Sequence, residues 1–168
     1  MKLQRRAFFK QSVAGLAVLP FFASTRSDAA PMGSAKFVDV DGIRTSYFEG
    51  GSGEPMVLVH GGYFGSMVSG NCWRPVFDPL ASHFHVYVVD KLGQGYTDNP
   101  TSDDHYTMEA VIEHLYRFMK TLGLQNVHLV GHSIGGWIAA ELAVRCSHVL
   151  RSLTLISACG LTVEGHRT

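Results

Sequence analysis

One stretch, residues 127–140, constrains the fold of this chain more than any other. It reads Val-His-Leu-Val-Gly-His-Ser-Ile-Gly-Gly-Trp-Ile-Ala-Ala, which predicts an apolar strand that passes through a tight turn directly into a helix. Gly131 and Gly135 flank Ser133 in a Gly-x-Ser-x-Gly pattern. Glycines suit such a turn because Cβ atoms would collide with the neighbouring backbone. The pattern therefore predicts that Ser133 lies exposed at the carboxyl end of a strand.

This arrangement is typical of nucleophilic chemistry. A serine hydroxyl attacks a carbonyl carbon only when it is exposed and within reach of a base. The helix that begins at Ile134 directs free N–H groups and a positive dipole end towards a developing oxyanion. His132 lies inside the turn, where we expect it to support the loop. A glycine-rich turn with a merely solvated serine is the structural alternative.

Strands and helices alternate on both sides of this turn. Asp41-Gly42 predicts a hairpin between the first two strands. The later strands are continuous apolar runs, which are typical of parallel strands buried on both faces. We predict an α/β fold, a mostly parallel sheet with helices on both faces. The predicted strands are 36–40, 43–48, 56–59, 85–89, 127–130 and 153–156, and the predicted helices are 72–81, 108–122 and 134–146.

Three groups of residues follow the carboxyl ends of predicted strands, where α/β proteins bind ligands. They are His60-Gly61-Gly62, Asp90 and Ser133, so we expect them to share one rim of the sheet. The glycines allow backbone N–H groups to point into a site. We interpret His60 as a structural histidine that ties down this loop. Asp90 is either an acid near the site or, as we favour, a brace for the loop that follows it.

Together these motifs resemble the α/β-hydrolase superfamily over residues 37–156. His60-Gly61-Gly62 resembles the family's oxyanion loop after its third strand. The segment from Asp90 to Pro100 resembles the loop after its fourth strand, with Thr97 where serine is common. The resemblance implies that Ser133 is the nucleophile, supported by the elbow residues Gly131, His132 and Gly135.

The resemblance also assigns an oxyanion hole. It implies that the backbone N–H of Ile134 and that of Gly62, or alternatively Tyr63, stabilise the tetrahedral intermediate. Serine acyl transfer needs no cofactor and no metal, so we expect neither. The implied partner is a small-molecule substrate.

The chain departs from the family pattern at its carboxyl end. The family's triad acid follows the sixth or seventh strand and its histidine follows the eighth. Here the chain stops soon after the sixth strand, where Glu164 and His166 are poor triad candidates because they adjoin the chain end. We therefore expect an α/β-hydrolase domain, residues 30–168, that is the N-terminal part of a longer protein, truncated after the sixth strand.

Three functions remain open on the sequence. The first is a serine hydrolase that cuts an ester-like or carbon–carbon bond in a small, apolar substrate. The second is a non-catalytic truncated remnant or binding protein on the same fold. The third, a nucleotide-binding domain, is weaker because the turn at 131–136 lacks the closely spaced glycines and lysine of a phosphate loop.

The first 29 residues are typical of an export signal rather than of the fold. Arg5-Arg6, Phe8-Phe9 and Lys10 resemble the twin-arginine motif, and an apolar run follows that is short for a bilayer span. We expect the twin-arginine export machinery as a partner, no stable membrane span after cleavage, and a periplasmic or secreted product. An ordinary secretory signal or an uncleaved anchor is the alternative.

Charge and cysteine content bear on three further features: nucleic-acid binding, metal binding and disulfide formation. The chain has 14 basic and 14 acidic residues, so its composition does not predict a polyanion-binding surface or a nucleic-acid partner. The three cysteines have no metal-ligand spacing. We expect free or buried thiols, with one disulfide after export as the alternative.

Overall fold

The computed structural model describes residues 32–160, which form a six-stranded sheet with helices on both faces. The predicted signal peptide and the pair Glu164 and His166 lie outside these residues. In the described part of the chain, no helix is long and apolar enough to cross a membrane. The strands are β1 (Lys36–Val40), β2 (Ile43–Gly50), β3 (Pro55–Val59), β4 (His85–Val89), β5 (Val127–His132) and β6 (Leu150–Ile156), and the helices are α1 (Arg74–Ala81), α2 (Met108–Thr121) and α3 (Ile134–Arg145).

The sheet order is β1-β2-β4-β3-β5-β6. The pairs β4–β3, β3–β5 and β5–β6 are parallel, whereas β1–β2 and β2–β4 are antiparallel. The predicted mostly parallel sheet is therefore confirmed. Because β3 lies between β4 and β5, the loops after these three strands meet at one rim.

Local signals set the element boundaries as predicted. The hairpin between β1 and β2 turns at Asp41 and Gly42, whose φ angles are 52° and 85°, as a turn that matches strand twist requires. Thr107 caps α2 by accepting a hydrogen bond from the N–H of Ala110. Gly123, with φ 66°, ends that helix.

Each face of the sheet carries its own apolar core. Alternate β3 residues point to opposite faces, so Val57 and Val59 pack with α2 and α3, and Leu58 packs with the other cluster. Phe77 of α1 belongs to that second cluster. Full burial of a side chain of this size contributes about 1.5–3 kcal/mol. The two cores fix the central strands and hence the rim that they present.

Several predicted boundaries shift by one to three residues. The first helix begins at Arg74 rather than Cys72, because a short 3₁₀ turn at Gly70–Trp73 precedes it. Strand β6 begins at Leu150, three residues before the predicted start. Arg151 and Ser152 interrupt the apolar pattern near its start, and the strand, which lies at the edge of the described sheet, is largely exposed.

Candidate active site

Ser133 occupies a strained backbone conformation between β5 and α3. Its φ and ψ are 56° and −121°, a left-handed combination that a residue with a Cβ atom rarely adopts. Its N–H donates to the carbonyl of Ile156 over 2.9 Å, and its own carbonyl accepts from the N–H of Gly136 over 2.9 Å. Bonds to β6 on one side and α3 on the other therefore hold the turn.

The flanking glycines are required because backbone fills the space of a side chain. A Cβ atom at Gly131 would lie 2.3 Å from the carbonyl oxygen of Gly135. One at Gly135 would lie 2.5 Å from the carbonyl oxygens of Val59 and His60. These contacts are far inside van der Waals separation, so the sharp turn exists only with glycine at both positions.

The loop after β3 packs directly against the serine. A Cβ atom at Gly61 would lie 3.1 Å from the Cβ of Ser133. Gly62 follows with φ 78°, a conformation that favours glycine. Gly62, Tyr63 and Ile134 all line one cleft beside this loop. The structure therefore brings together both predicted oxyanion donors, Gly62 and Ile134, together with the alternative, Tyr63.

The remainder of the cleft is largely apolar. Met108, Val111 and Ile138 line it from α2 and α3, and Phe64 continues the aromatic side that begins with Tyr63. The ring of Phe64 packs edge-on against that of Tyr63, with centroids 5.2 Å apart. This side of the cleft is therefore apolar, whereas Lys91 and Gln94 add polar groups to its lining.

His60 is fully buried, and both of its ring nitrogens have backbone partners. Nδ1–H donates to the carbonyl of Gly61 over 2.7 Å, and Nε2 accepts from the N–H of Lys91 over 3.2 Å. Burial and the nearby Lys91 charge lower its pKa to about 3, so the ring is neutral. In this geometry His60 holds the loop and has no free nitrogen to offer Ser133.

His132 is placed differently from His60. It is exposed, and its ring lies edge-on to that of Trp73, with centroids 6.5 Å apart. Its Nδ1 would lie 3.1 Å from a Cβ atom at Gly61. His132 therefore packs against the loop after β3, at Gly61.

Asp90 braces two loops, as predicted. Its carboxylate is buried and accepts hydrogen bonds from the N–H of Gly70 over 2.7 Å and of Tyr96 over 3.0 Å. Thr97 Oγ1 donates to the carbonyl of Asp90 over 2.8 Å and accepts from the N–H of Ser46 over 2.9 Å. These bonds fix the loop after β4 to β2 and to the rim.

Within residues 32–160, the Ser133 hydroxyl has one side-chain hydrogen-bond partner, the thiol of Cys159, with Oγ and Sγ 3.5 Å apart. No histidine or carboxylate of the described residues is hydrogen-bonded to this hydroxyl. Across the same residues, no group of three or more histidine, cysteine or acidic side chains is arranged to hold a metal ion. Within residues 32–160, Ser133 therefore has no general base in hydrogen-bond contact.

Besides Cys159, sequence reasoning missed Lys91 and Gly136 near the site. Lys91 lines the cleft and contacts the carbonyls of Gly61 and Gly62. Gly136 also has little room for a side chain, because a Cβ atom there would lie 2.6 Å from the Cβ of Ala158. Gly136 is the third glycine of the Ser133 turn, after Gly131 and Gly135, and that repetition was the signal in the sequence that could have identified it.

Residues 54–166 match the alpha/beta hydrolase fold family. The chain belongs to this family. Its curated relatives include the 2-hydroxy-6-oxo-6-(2′-aminophenyl)hexa-2,4-dienoic acid hydrolase of Metapseudomonas resinovorans, which is 39% identical over 78% of this chain and 44% of the relative. Another is the 2-hydroxy-6-oxo-2,4-heptadienoate hydrolase of Pseudomonas putida, 37% identical over 77% of this chain and 46% of the relative.

Solved α/β-hydrolase structures agree with this assignment. A serine hydrolase involved in carbazole degradation superposes with a TM-score of 0.70 at 38% identity, covering 78% of this chain and 50% of that one. A meta-cleavage product hydrolase from Pseudomonas fluorescens gives 0.70 at 30% identity, covering 77% and 47%. The chain thus spans about half the length of the α/β-hydrolases that it matches.

Proposed function

We propose that this protein is a serine hydrolase in which Ser133 is the nucleophile. The observation that carries the proposal is the strained Ser133 turn, packed against Gly61 beside the cleft that Gly62 and Ile134 line. Strain of this kind costs about 1–3 kcal/mol and persists where function requires it. A merely solvated serine would need neither the strain nor the loop against its Cβ atom.

The proposed reaction is acyl transfer to Ser133 followed by hydrolysis. A base takes the hydroxyl proton as Oγ attacks the substrate carbonyl carbon, and the oxygen of that carbonyl gains the negative charge. The N–H groups of Ile134 and Gly62 stabilise this oxyanion. The leaving group departs with a proton, and water then releases the acyl group as a carboxylic acid. The base and its orienting acid lie outside residues 32–160.

The proposed substrate is a small molecule with an apolar portion, cleaved at a carbon–carbon bond next to a ketone. Two curated relatives carry names of hydrolases for 2-hydroxy-6-oxo-dienoic acids. Conversion of the 2-hydroxydiene to its keto form, with the hydroxyl proton lost and a proton added at C5, first makes C5 a saturated carbon next to the 6-ketone. When the bond between C5 and C6 then breaks, C5 leaves as a dienolate conjugated with the 2-ketone, which makes carbon a feasible leaving group. In this proposal the substituent on the ketone lies against the apolar side of the cleft, which α2 and α3 form.

An ester is the second candidate substrate. The sheet also superposes on a bacterial membrane phospholipase A, with a TM-score of 0.69 at 32% identity, covering 77% of this chain and 41% of that one. Turnover of a 2-hydroxy-6-oxo-dienoic acid and of a short-chain nitrophenyl ester by the same preparation separates the two. The substrate class whose kcat/KM exceeds that of the other by more than about tenfold is the preferred one.

A fluorophosphonate probe on the full-length gene product tests the nucleophile. We expect labelling that Ser133→Ala abolishes. The matched control is Ser152→Ala, because Ser152 Oγ lies 2.7 Å from His128 Nδ1 and His128 Nε2 lies 2.9 Å from Glu54, a serine–histidine–carboxylate contact at the opposite end of the sheet. That variant should label like the wild type. Unlabelled wild-type protein would favour a non-catalytic binding protein on the same fold.

We also propose export through the twin-arginine route. The support is the leader sequence, with Arg5-Arg6 ahead of Phe8-Phe9 and Lys10. Replacing both arginines by lysine should retain the product in the cytoplasm, whereas the wild type should reach the periplasm. Unchanged export of the lysine variant would rule out this route, and N-terminal sequencing of exported protein tests cleavage after Ala29.

A further inference from the structure

Lys91 follows β4 and ties that strand to the loop of the proposed oxyanion hole. Its side chain is only 4% exposed. Nζ donates to the carbonyl of Gly61 over 3.1 Å and to that of Gly62 over 2.5 Å. Its backbone N–H donates to His60 Nε2 over 3.2 Å. Three hydrogen bonds from one residue therefore converge on residues 60–62.

The charge of Lys91 has no acidic counterion among residues 32–160. The neighbouring carboxylate of Asp90 is occupied by two backbone N–H groups, and the other titratable groups that face the ammonium are His60 and Cys72. His60 is neutral, and burial raises the pKa of the Cys72 thiol. A buried ammonium is costly without partners. The two loop carbonyls are the groups that compensate it.

This contact dictates how the loop's peptide groups face. A trans peptide is planar, so its N–H points opposite to its C=O. Because the carbonyl of Gly61 turns towards the ammonium, the N–H of Gly62 turns away from it. The carbonyl of Gly62 also turns towards the ammonium, so the N–H of Tyr63, in the same peptide group, turns away from it. Gly62 and Tyr63 are the two loop residues proposed to supply an oxyanion donor.

We propose that Lys91 is a positioning residue that orients the oxyanion-hole loop and adds positive charge behind its peptide groups. It holds the Gly61 and Gly62 carbonyls against its ammonium, so that the N–H groups of Gly62 and Tyr63 point away from it. The charge also polarises the two peptides, which strengthens their N–H groups as donors. This inference rests on the proposed hydrolase function, in which Ser133 attacks the substrate beside this loop.

Replacement of the charge tests the inference in the full-length protein. Lys91→Met should lower kcat by about 10- to 100-fold and leave KM within about threefold, because a donor that acts on the transition state affects kcat. Binding of a boronic acid transition-state analogue should weaken by a similar factor. Lys91→Arg should restore part of kcat, since it keeps a charged donor. Lys36→Met, an exposed lysine paired with Glu49, should change none of these values.

The pH dependence supplies a second test that needs no disruptive variant. Burial lowers the pKa of Lys91 to about 8, so its charge is lost as pH rises through that value. The wild-type kcat should therefore fall above about pH 8. Lys91→Arg, which stays charged, should lose this alkaline limb.

Three outcomes decide the matter. An unchanged kcat in folded Lys91→Met, or an alkaline limb that persists in Lys91→Arg, overturns the role of Lys91 while leaving the nucleophile intact. If Lys91→Met does not fold, as judged by its thermal transition, the wild-type and arginine pH profiles decide alone. Full activity in Ser133→Ala would instead remove the proposed function and this inference with it.

Discussion

The hydroxyl of Ser133 and the thiol of Cys159 lie 3.5 Å apart, and the N–H of Cys159 donates to the carbonyl of Ser133 over 3.1 Å. The segment after β6 is therefore attached to the proposed nucleophile through both backbone and side chain. Among residues 32–160, the thiol of Cys159 is exposed. Because Sγ lies this close to Oγ, a group attached to the thiol would restrict access to the Ser133 hydroxyl.

We predict that alkylation of Cys159 blocks fluorophosphonate labelling of Ser133. A carboxamidomethyl group on Sγ would occupy the approach to Oγ. Iodoacetamide treatment before the probe should reduce labelling at least about tenfold in the full-length protein, and Cys159→Ala should be resistant. Cys72→Ala, which removes another exposed thiol, should remain sensitive. Equal sensitivity of the wild type and Cys159→Ala would contradict the prediction.

Gly135→Ala is predicted to be severely destabilising. The added Cβ would meet backbone oxygens of Val59 and His60 at 2.5 Å, and backbone at the end of the central strand cannot move aside cheaply. The expected loss is about 3 kcal/mol or more in the free energy of unfolding, measured by urea denaturation. Gly135→Val should be worse, because it adds β-branching.

Gly65→Ala is the control for that experiment. Gly65 has φ 80°, but open space surrounds its Cβ position. Only backbone strain of about 1–2 kcal/mol is expected there. A smaller loss at Gly135 than at Gly65 would show that the turn tolerates a side chain.

These glycines illustrate what the sequence predicts well. The Ser133 turn, the Asp41-Gly42 hairpin and the Thr107 cap all depend on neighbours in the chain, so residue type and spacing reveal them. The contacts of Lys91 and Cys159 depend on which strands are adjacent. Each of these residues follows a strand and contacts a loop far away in sequence, a pairing that local patterns do not encode.

Thr97 allows a matched test of the Asp90 brace. Its hydroxyl links the carbonyl of Asp90 to the N–H of Ser46, both buried. Thr97→Val keeps the shape but leaves both backbone groups unpaired, and should cost about 1–3 kcal/mol of unfolding free energy. Thr97→Ser keeps the hydroxyl and should cost less than about 1 kcal/mol. Equal losses in the two variants would mean that packing, rather than the hydroxyl, matters here.

Buried histidines should make the fold sensitive to mild acid. Burial lowers the pKa of His60 to about 3 and that of His114 to about 4, from an ordinary value of 6.5. At pH values between 6.5 and these lowered pKa values, each histidine is protonated in the unfolded state but neutral in the folded state. The free energy of unfolding therefore falls as pH drops below 6.5. Each histidine should contribute a loss of about 2 kcal/mol between pH 7 and pH 5.

His114→Gln isolates one of these contributions. In the wild type, His114 Nε2–H donates to Thr45 Oγ1 over 2.9 Å, a bond that glutamine can replace. Urea denaturation at pH 7 and pH 5 should show a smaller pH effect in the variant, by about 2 kcal/mol. Exposed carboxylates contribute equally to both proteins and cancel in the difference. An unchanged pH effect would mean that His114 is readily protonated in the folded state.

Residues 30–168 produced alone are predicted to aggregate and to be nearly inactive. Strand β6 is the edge of the described sheet, and Leu153, Leu155 and Ile156 are 37–40% exposed along it. Unpaired backbone groups beside apolar side chains form a template for further strands. Without a positioned base, the Ser133 hydroxyl also stays a weak nucleophile. Light scattering and turnover of a nitrophenyl ester beside Ser133→Ala measure the two effects.

The edge can be tested separately from general hydrophobicity. Leu153→Lys places a charge on β6 and should lower light scattering of this fragment at least about threefold, because a charge on an edge strand opposes pairing. Val144→Lys is the matched control, since Val144 is 84% exposed on helix α3 rather than on the edge strand. It should leave scattering unchanged. If both variants improve solubility equally, surface hydrophobicity rather than strand pairing causes the aggregation. If residues 30–168 instead form a soluble monomer with Ser133-dependent turnover, the prediction that this fragment aggregates and is nearly inactive is wrong.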